Sequence, residues 1–472
     1  LRNFNMELVN RQYDRVIMLE LNEISRNAVD LLVQREKCIN FRNINDSWIY
    51  KNTISETQYE NIEPWIQWVT AHTGKSLNEH KIFRLGDAEK ELRFPQTWEM
   101  LSTQGISSAI VGSMNVKRGN VQDGFFFPDP WSKSAKVFPI EYQPLFNLLS
   151  EKVQTHSTAK ITKFDILKAF NLCRKFKIPL GLYCKVGMQL IHQKIDETKR
   201  WRLAALFDLL LAHIFQYLLT TTQYGYYTLF LNAVAHYQHH FWRNFDPTDF
   251  DPMIRAPDCH VQDDPMTYGY EIYDRILSNI IDSETNRSKT LIIVLSGLSQ
   301  VPFYEREHVG GMNYYRLNKH TIFTNSIKLR CEKVLPMMSR DWQLSYINQD
   351  DLMYDKDLLG KITLGKSEKL FKIGKNTENT LFVETVVTRH VANSEMIYLN
   401  EQKIGCFNEF FTKTAIKSGH HTGVGSAWFS GPVDGLPETA EINLTHINSI
   451  VLSALGANSS IAASASDSAC IV

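Results

Sequence analysis

The chain has 472 residues, 43% apolar and 22% charged, with 51 lysines and arginines against 51 aspartates and glutamates. That length buries a large core, as one α/β domain with insertions or as two domains. A formal charge of zero excludes the broad basic field that nucleic-acid binding requires.

Seven scattered cysteines (Cys38, Cys173, Cys184, Cys259, Cys331, Cys406 and Cys470) include no C-x-x-C pair. They argue against a disulfide framework or a zinc knuckle and for a reducing compartment. Arg11, Asp14 and Arg15 lead into the first strand without an apolar signal core, so a cytoplasmic location is expected. The sequons at Asn45, Asn286, Asn443 and Asn458 are then chance matches.

Residues 1–150 read as the first half of an α/β core. Arg15–Leu21 is a near-continuous apolar run of the kind a central parallel strand carries. A helix is predicted over Ser25–Gln34, capped by Asn22 or Ser25, and another over Trp65–His72, stopped at Thr73-Gly74. Thr97–Gln104 leads through Gly105 into a strand at Ser107–Val111.

Residues 151–222 form a helical, lysine-rich insertion or cap. Within it, Leu203–Leu219 is strongly apolar but carries Asp208 and His213, and falls short of the ~20 residues of a spanning helix. A buried or amphipathic helix is expected there rather than a transmembrane segment. Lysines and arginines over Lys160–Lys194 leave peripheral membrane association open.

The core resumes over 223–315 with strand Tyr227–Asn232, helix Tyr270–Ile281 and strand Thr290–Leu295. Residues 316–415 change to an antiparallel pattern, with strands at Phe382–Thr388, Met396–Leu399 and Ile404–Phe411. Residues 416–456 return to the core and end in helix Ile442–Leu455, and the serine- and alanine-rich 457–472 reads as a disordered tail. The fold class expected is α/β: a mainly parallel central sheet covered by helices on both faces, with a helical insertion and a small antiparallel insert.

The segment Leu231-Asn-Ala-Val-Ala-His-Tyr-Gln-His-His-Phe-Trp-Arg243 places three histidines in five positions after a buried strand. A helical turn puts His236 and His240 on one face, with His239 three residues from His236. Imidazole is the commonest metal ligand, and strand ends are where open α/β sheets place their sites. The plain alternative is a set of half-buried histidines packing beside Phe241 and Trp242.

Several segments, in order, resemble the alkaline phosphatase superfamily, closest to its phosphodiesterase/nucleotide-pyrophosphatase branch. They are the strand Val16–Leu21, Trp68-Val-Thr-Ala-His-Thr73-Gly74 with His80-Lys-Ile-Phe83, and Trp98 through Gly105 into Ser107–Val111. Further on come Gln238-His239-His240-Phe241-Trp242-Arg243, Ile292–Ser299, and Gly419-His420-His421 through Gly425 to Ser430-Gly431-Pro432. The resemblance runs from about Arg15 to Gly456 outside the inserts. It implies two divalent metals held by aspartates and histidines, and a threonine, serine or modified cysteine attacking a phosphate or sulfate ester.

This chain departs from that pattern at the site. The first-strand aspartate maps onto Asn22, the nucleophile onto Pro64 with Glu63 beside it, the second aspartate onto Ala235, and the Asp-His pair onto Gly297 and Leu298. Only the histidines equivalent to His239 and His421 remain, so the two-metal machinery cannot be assembled in the usual way.

A remodelled site is therefore expected, with Glu63, His236 and Asn22 catalytic and His239, His240, His421 and Glu20 holding one divalent metal, zinc by donor type. Gln300, His420, Trp65 and Trp242 would contact substrate. Glu23 and Glu60 read as solvated cap or surface residues, Asp263-Asp264 and Asp350-Asp351 as turn residues.

The activity expected is a hydrolase or transferase at a phosphate or sulfate ester of a small molecule, a glycan or a lipid-linked substrate. One alternative is a metal-independent His/Glu acid–base enzyme. Another is a catalytically degenerate protein binding a saccharide or a partner through Trp65, Trp68, Tyr237, Phe241, Trp242, Tyr314 and Tyr315, without cofactor. No G-x-S-x-G elbow, P-loop or G-x-G-x-x-G cradle is present.

Overall fold

The computed structural model describes residues 11–457 except 133–134, 155–169, 172, 258, 338–339 and 378. The expected tail from 458 onward, with Asn458 and Cys470, and part of the helical insertion therefore lie outside the described residues.

An eight-stranded sheet organises the core. Its strands are β1 (Arg15–Leu21), β2 (Ile49–Ile54), β3 (Ser108–Val111), β4 (Phe125–Phe127), β5 (Tyr226–Leu231), β6 (Thr290–Ser296), β7 (Val424–Phe429) and β8 (Glu441–Asn443). Across the sheet they run β8-β2-β7-β6-β1-β5-β3-β4. All neighbours are parallel except β7, which is antiparallel to both β2 and β6.

The central strand β1 is flanked by β5 and β6, with Leu19 level with Leu229 and Val294. Its side chains alternate between two cores: Ile17, Leu19 and Leu21 enter one, Val16 and Met18 the other. Both faces are thus covered, which is why the run is apolar throughout instead of alternating. Each such side chain contributes about 1.5–3 kcal/mol by its burial.

Helices on the two faces include α1 (Arg26–Gln34), α2 (Pro64–Thr73), α4 (Arg202–Thr221), α5 (Ala233–Phe245) and α6 (Pro265–Ser283); α3 (Leu180–Ile195) packs on α4, and α7 (His446–Ala454) closes the core. Helix α2 starts at Pro64, one residue before the expected Trp65, because proline suits the first helical position, and it stops at Gly74 in the left-handed conformation as expected. The apolar helix α4 has the length and composition to cross a membrane, yet half of it is buried within the fold. Asp208 on α4 is 2% exposed and accepts the backbone N–H of Asn232 (3.0 Å) and Ala233 (2.7 Å) and the Tyr273 hydroxyl (2.6 Å). It anchors the start of α5 from a neighbouring helix, a task no side chain of Asn232 performs.

The antiparallel insert contains two four-stranded sheets. One joins Lys333–Pro336, Asp341–Ser345, Phe371–Thr377 and Thr380–Thr385, and the other Ile362–Leu364, Glu368–Lys369, Met396–Leu399 and Gln402–Cys406. Around Trp342, Phe323 and Phe371 it has a core of its own. The expected strand Ile404–Phe411 is interrupted by a helical turn, Phe407–Phe410, that buries Phe407 and Phe410. The expected helix Ile442–Leu455 begins as β8, with helix only from His446. Helix formation over Thr97–Gln104 stops at Ser102.

Candidate active site

The carboxyl ends of β1 and β5, the start of α2, and the strand Gly419–Thr422 meet at one point. Glu23 follows β1 in a turn with φ of 57°, a left-handed conformation rare for glutamate. Gln238 on α5 fixes this turn by donating its amide to the Glu23 carbonyl (2.6 Å). The Glu23 side chain is thereby buried at the centre of the site, which corrects the expectation of a solvated cap residue.

His239 arrives on α5, which departs from helical geometry at Phe241 (φ −128°, ψ 19°). Ser418 staples this break. Its N–H donates to the His239 carbonyl (2.9 Å), and its hydroxyl accepts the Trp242 N–H (3.0 Å). Gly419–Thr422 starts directly after Ser418 and pairs with Ser299–Pro302, with His421 opposite Gln300. This is how chain segments some 180 residues apart bring their imidazoles together.

Glu23 Oε2 lies 3.1 Å from His239 Nε2 and 3.2 Å from His421 Nε2, and the two Nε2 atoms are 3.3 Å apart. One carboxylate oxygen and two ring nitrogens form a nearly equilateral triangle. Four ligands at zinc–nitrogen bond lengths in a tetrahedron stand about 3.3–3.4 Å from one another. Donor types and spacing both fit a three-residue site with one position left open, the form of catalytic rather than structural zinc. The Ile62 backbone lies against the His421 ring and favours its protonated form.

Two amides hold Glu23 in place. Asn22 donates to its Oε1 (2.9 Å) and to Asn232 Oδ1 (2.8 Å), while accepting the Trp68 indole N–H (2.9 Å). Gln300, fully buried, donates to Glu23 Oε2 and to the Ala235 carbonyl (3.0 Å). Neither amide faces the cleft, so both position the carboxylate. The assignments of Asn22 to catalysis and Gln300 to substrate do not match these contacts.

Charge is distributed unevenly over the triangle. Burial would raise the Glu23 carboxyl, but His421 and His239 hold it well below the usual carboxylate range. Burial would lower His421, but Glu23 raises it to about 9, whereas burial prevails at His239 and lowers it. Glu63, at the position preceding α2, has Oε2 3.7 Å from His421 Nδ1. Its carboxyl is pushed up to about 7, first by burial and then by Glu23 and Asp341 against the opposing His421.

The remaining candidates fall elsewhere. Glu20 lies inside β1, on the side of Met18, and accepts from Ser113 (3.1 Å) and Thr228 beside His72 Nε2 at 3.2 Å. All of this is buried beneath the strand end, so Glu20 cannot share an ion with His239. His240 turns toward His236 (ring centroids 4.9 Å apart) and is outside the triangle. His236 itself is exposed and lies toward Arg316, outside the triangle. Trp242 is 4% exposed against Phe245, and Trp65 donates its indole N–H to the Phe83 carbonyl (3.1 Å). His420 packs on Phe303 and Tyr59.

The sequence does not single out a group of cations and acids that the insert and its flanks bring near Glu63. Lys417 reaches the Tyr59 hydroxyl (3.3 Å) and stands close enough to Glu63 to lower it. Arg340 pairs with Glu384 (2.5 Å) above the Tyr314 ring, and Arg316 lies beside Asp341.

No family model matches the chain, and no curated protein matches it either. Among solved structures it is similar to phosphonoacetate hydrolase from Sinorhizobium meliloti 1021 in complex with phosphonoacetate, at 12% identity over 94% of this chain and 96% of that one, TM-score 0.43. A TAB5 alkaline phosphatase variant with magnesium bound is 9% identical over 95% and 99% of the two chains, TM-score 0.40. Murine ectonucleotide pyrophosphatase/phosphodiesterase 5, in complex with AMP, is 10% identical over 94% and 96%, TM-score 0.38.

Proposed function

We propose that this protein is a metal-assisted hydrolase or transferase acting on a phosphate or sulfate ester, built on one divalent ion in place of the two its sequence resemblance implies. The observation that carries this reading is the triangle of Glu23, His239 and His421, whose 3.1–3.3 Å edges suit three ligands of one tetrahedral ion. Two imidazoles with one carboxylate favour zinc. When bound there, the ion supplies Lewis acidity for an ester oxygen or an activated water.

The residues of the chain do the rest. Glu63, with a carboxyl near neutrality, takes up a proton or attacks directly from the start of α2. Asn22 and Gln300 keep Glu23 oriented. Lys417 stands near Glu63 and supplies positive charge that complements an anionic ester and the charge that develops on it, while Arg316 and Arg340 flank Asp341 and Arg340 is also paired with Glu384. A carbohydrate or lipid-linked ester is the substrate class we assign to the cleft.

A second reading keeps the acid–base chemistry without an ion. Glu23 already accepts from both imidazoles, so its charge is balanced within the protein. Turnover of bis-p-nitrophenyl phosphate, p-nitrophenyl phosphate and p-nitrophenyl sulfate, with zinc-loaded and chelator-treated protein, separates the readings. Activity that requires zinc supports the first. Activity that survives chelation selects the second, and no turnover of any ester by loaded protein refutes both.

A further inference from the structure

Helix α3 lies outside α4, far in sequence from every residue of the candidate site. One side of it, with Leu182 and Gln189, is buried. The other is open and apolar: Leu180 is 72% exposed, Met188 52%, Ile191 60% and Ile195 81%. At 3.6 residues per turn these four fall within an arc of about 80°, so they form one stripe along the helix. Lys194 borders one edge of the stripe and Lys185 the other, and both are exposed.

The helix and the turn before it carry charge of a single sign; acids first appear beyond its end, at Asp196, which pairs with His260 (2.9 Å), and at Glu197. From Cys173 through Ile195 there is no aspartate or glutamate, while Arg174, Lys175 and Lys177 precede the helix and Lys185 and Lys194 lie on it. Of these, Lys175 is paired with Glu141 (3.0 Å). A solvated surface helix does not require a row of large apolar side chains. A second copy of the chain on this face would bring like charges together.

We propose that this face docks on an anionic lipid bilayer. Helix α3 lies in the interfacial plane, its apolar stripe entering the acyl boundary and its lysines level with the headgroups. The half-buried helix α4 beneath it acts as a support that keeps the stripe facing outward.

The test uses the full purified chain and co-sedimentation with phosphatidylcholine vesicles, neutral or with about one third phosphatidylglycerol. Expected is binding to the anionic vesicles that weakens with salt, and little to the neutral ones. Replacing Ile191→Glu and Ile195→Glu together lowers the partition coefficient at least ~10-fold, since two buried side chains and two charges are involved. The thermal midpoint and the mass in solution stay unchanged. A second variant, Lys185→Glu with Lys194→Glu, also weakens binding and leaves the stripe intact. No binding to anionic vesicles, or binding that both folded variants retain, overturns the proposal. So does a dimer in solution that the isoleucine variant dissociates, which would assign the face to a second copy.

Discussion

Asp208 offers a stability test that is independent of the chemistry at the site. Its carboxyl is fully enclosed and is pushed up to about 7 by burial, against the Tyr273 hydroxyl and the two N–H groups that start α5. A carboxylic acid raised from 3.8 to about 7 holds its proton in the fold where the unfolded chain has released it. The fold therefore loses stability as pH rises from about 4 to about 7, by on the order of 4 kcal/mol in all. Asp208→Asn keeps an acceptor for the same donors but has no proton to lose. By the same linkage it gains about 1.5 kcal/mol relative to wild type at pH 5 and about 4 at pH 8. Unfolding in urea followed by tryptophan fluorescence at both pH values reads the difference, about 2–3 kcal/mol in favour of the variant at the higher pH. A difference that does not change with pH, or one that turns against the variant as pH rises, refutes the reasoning. The latter would mean that the three donors hold the group ionised.

Three further substitutions probe the site. Glu23→Gln removes the only anionic member of the triangle and should reduce zinc affinity by about 100-fold or more, read by competition with a chromophoric chelator. Glu63→Gln should lower kcat by about 10²–10⁴-fold while zinc binding stays intact, since Glu63 lies outside the triangle; an unchanged kcat removes it from the chemistry. Gly419→Ala would place a methyl group against the Gln238 carbonyl, 2.6 Å from Gln300 Oε1 and 2.7 Å from Trp242 Cδ1. A loss of about 1–3 kcal/mol in chemical denaturation, together with weaker metal binding, is expected.

The parts of the fold legible in the sequence are those where one physical requirement dominates. Arg15–Leu21 is read correctly to the residue because a strand covered on both faces admits few polar side chains. The strand Ile49–Ile54, paired on both sides, is not legible in the sequence, because Lys51 and Asn52 break its pattern and its pairing with β7 lies 370 residues away. His239 and His421 were paired through family resemblance, since nothing local in either segment announces the other.

The acid of the site was missed for a geometric reason. Glu20 and Asn22 occupy the strand and the position where the resemblance places an acid, but side-chain parity sends Glu20 under the sheet. Glu23 enters the site only because its backbone takes a positive φ, a conformation that a glutamate does not advertise. The signal available was a polar cluster, Asn22-Glu23, directly after an apolar strand that ends in an α/β crevice. Likewise Arg316, Arg340 and Lys417 belong to segments that look like ordinary antiparallel surface until the insert is folded against the core.

The most direct test of the central claim is the metal content of the full chain after removal of adventitious ions and titration with zinc, followed by anomalous diffraction at the zinc edge. The expected result is about one equivalent per chain, with the anomalous peak between Glu23, His239 and His421 and lost in His239→Ala. Less than about a tenth of an equivalent after loading, or a peak away from these three residues, would contradict the account.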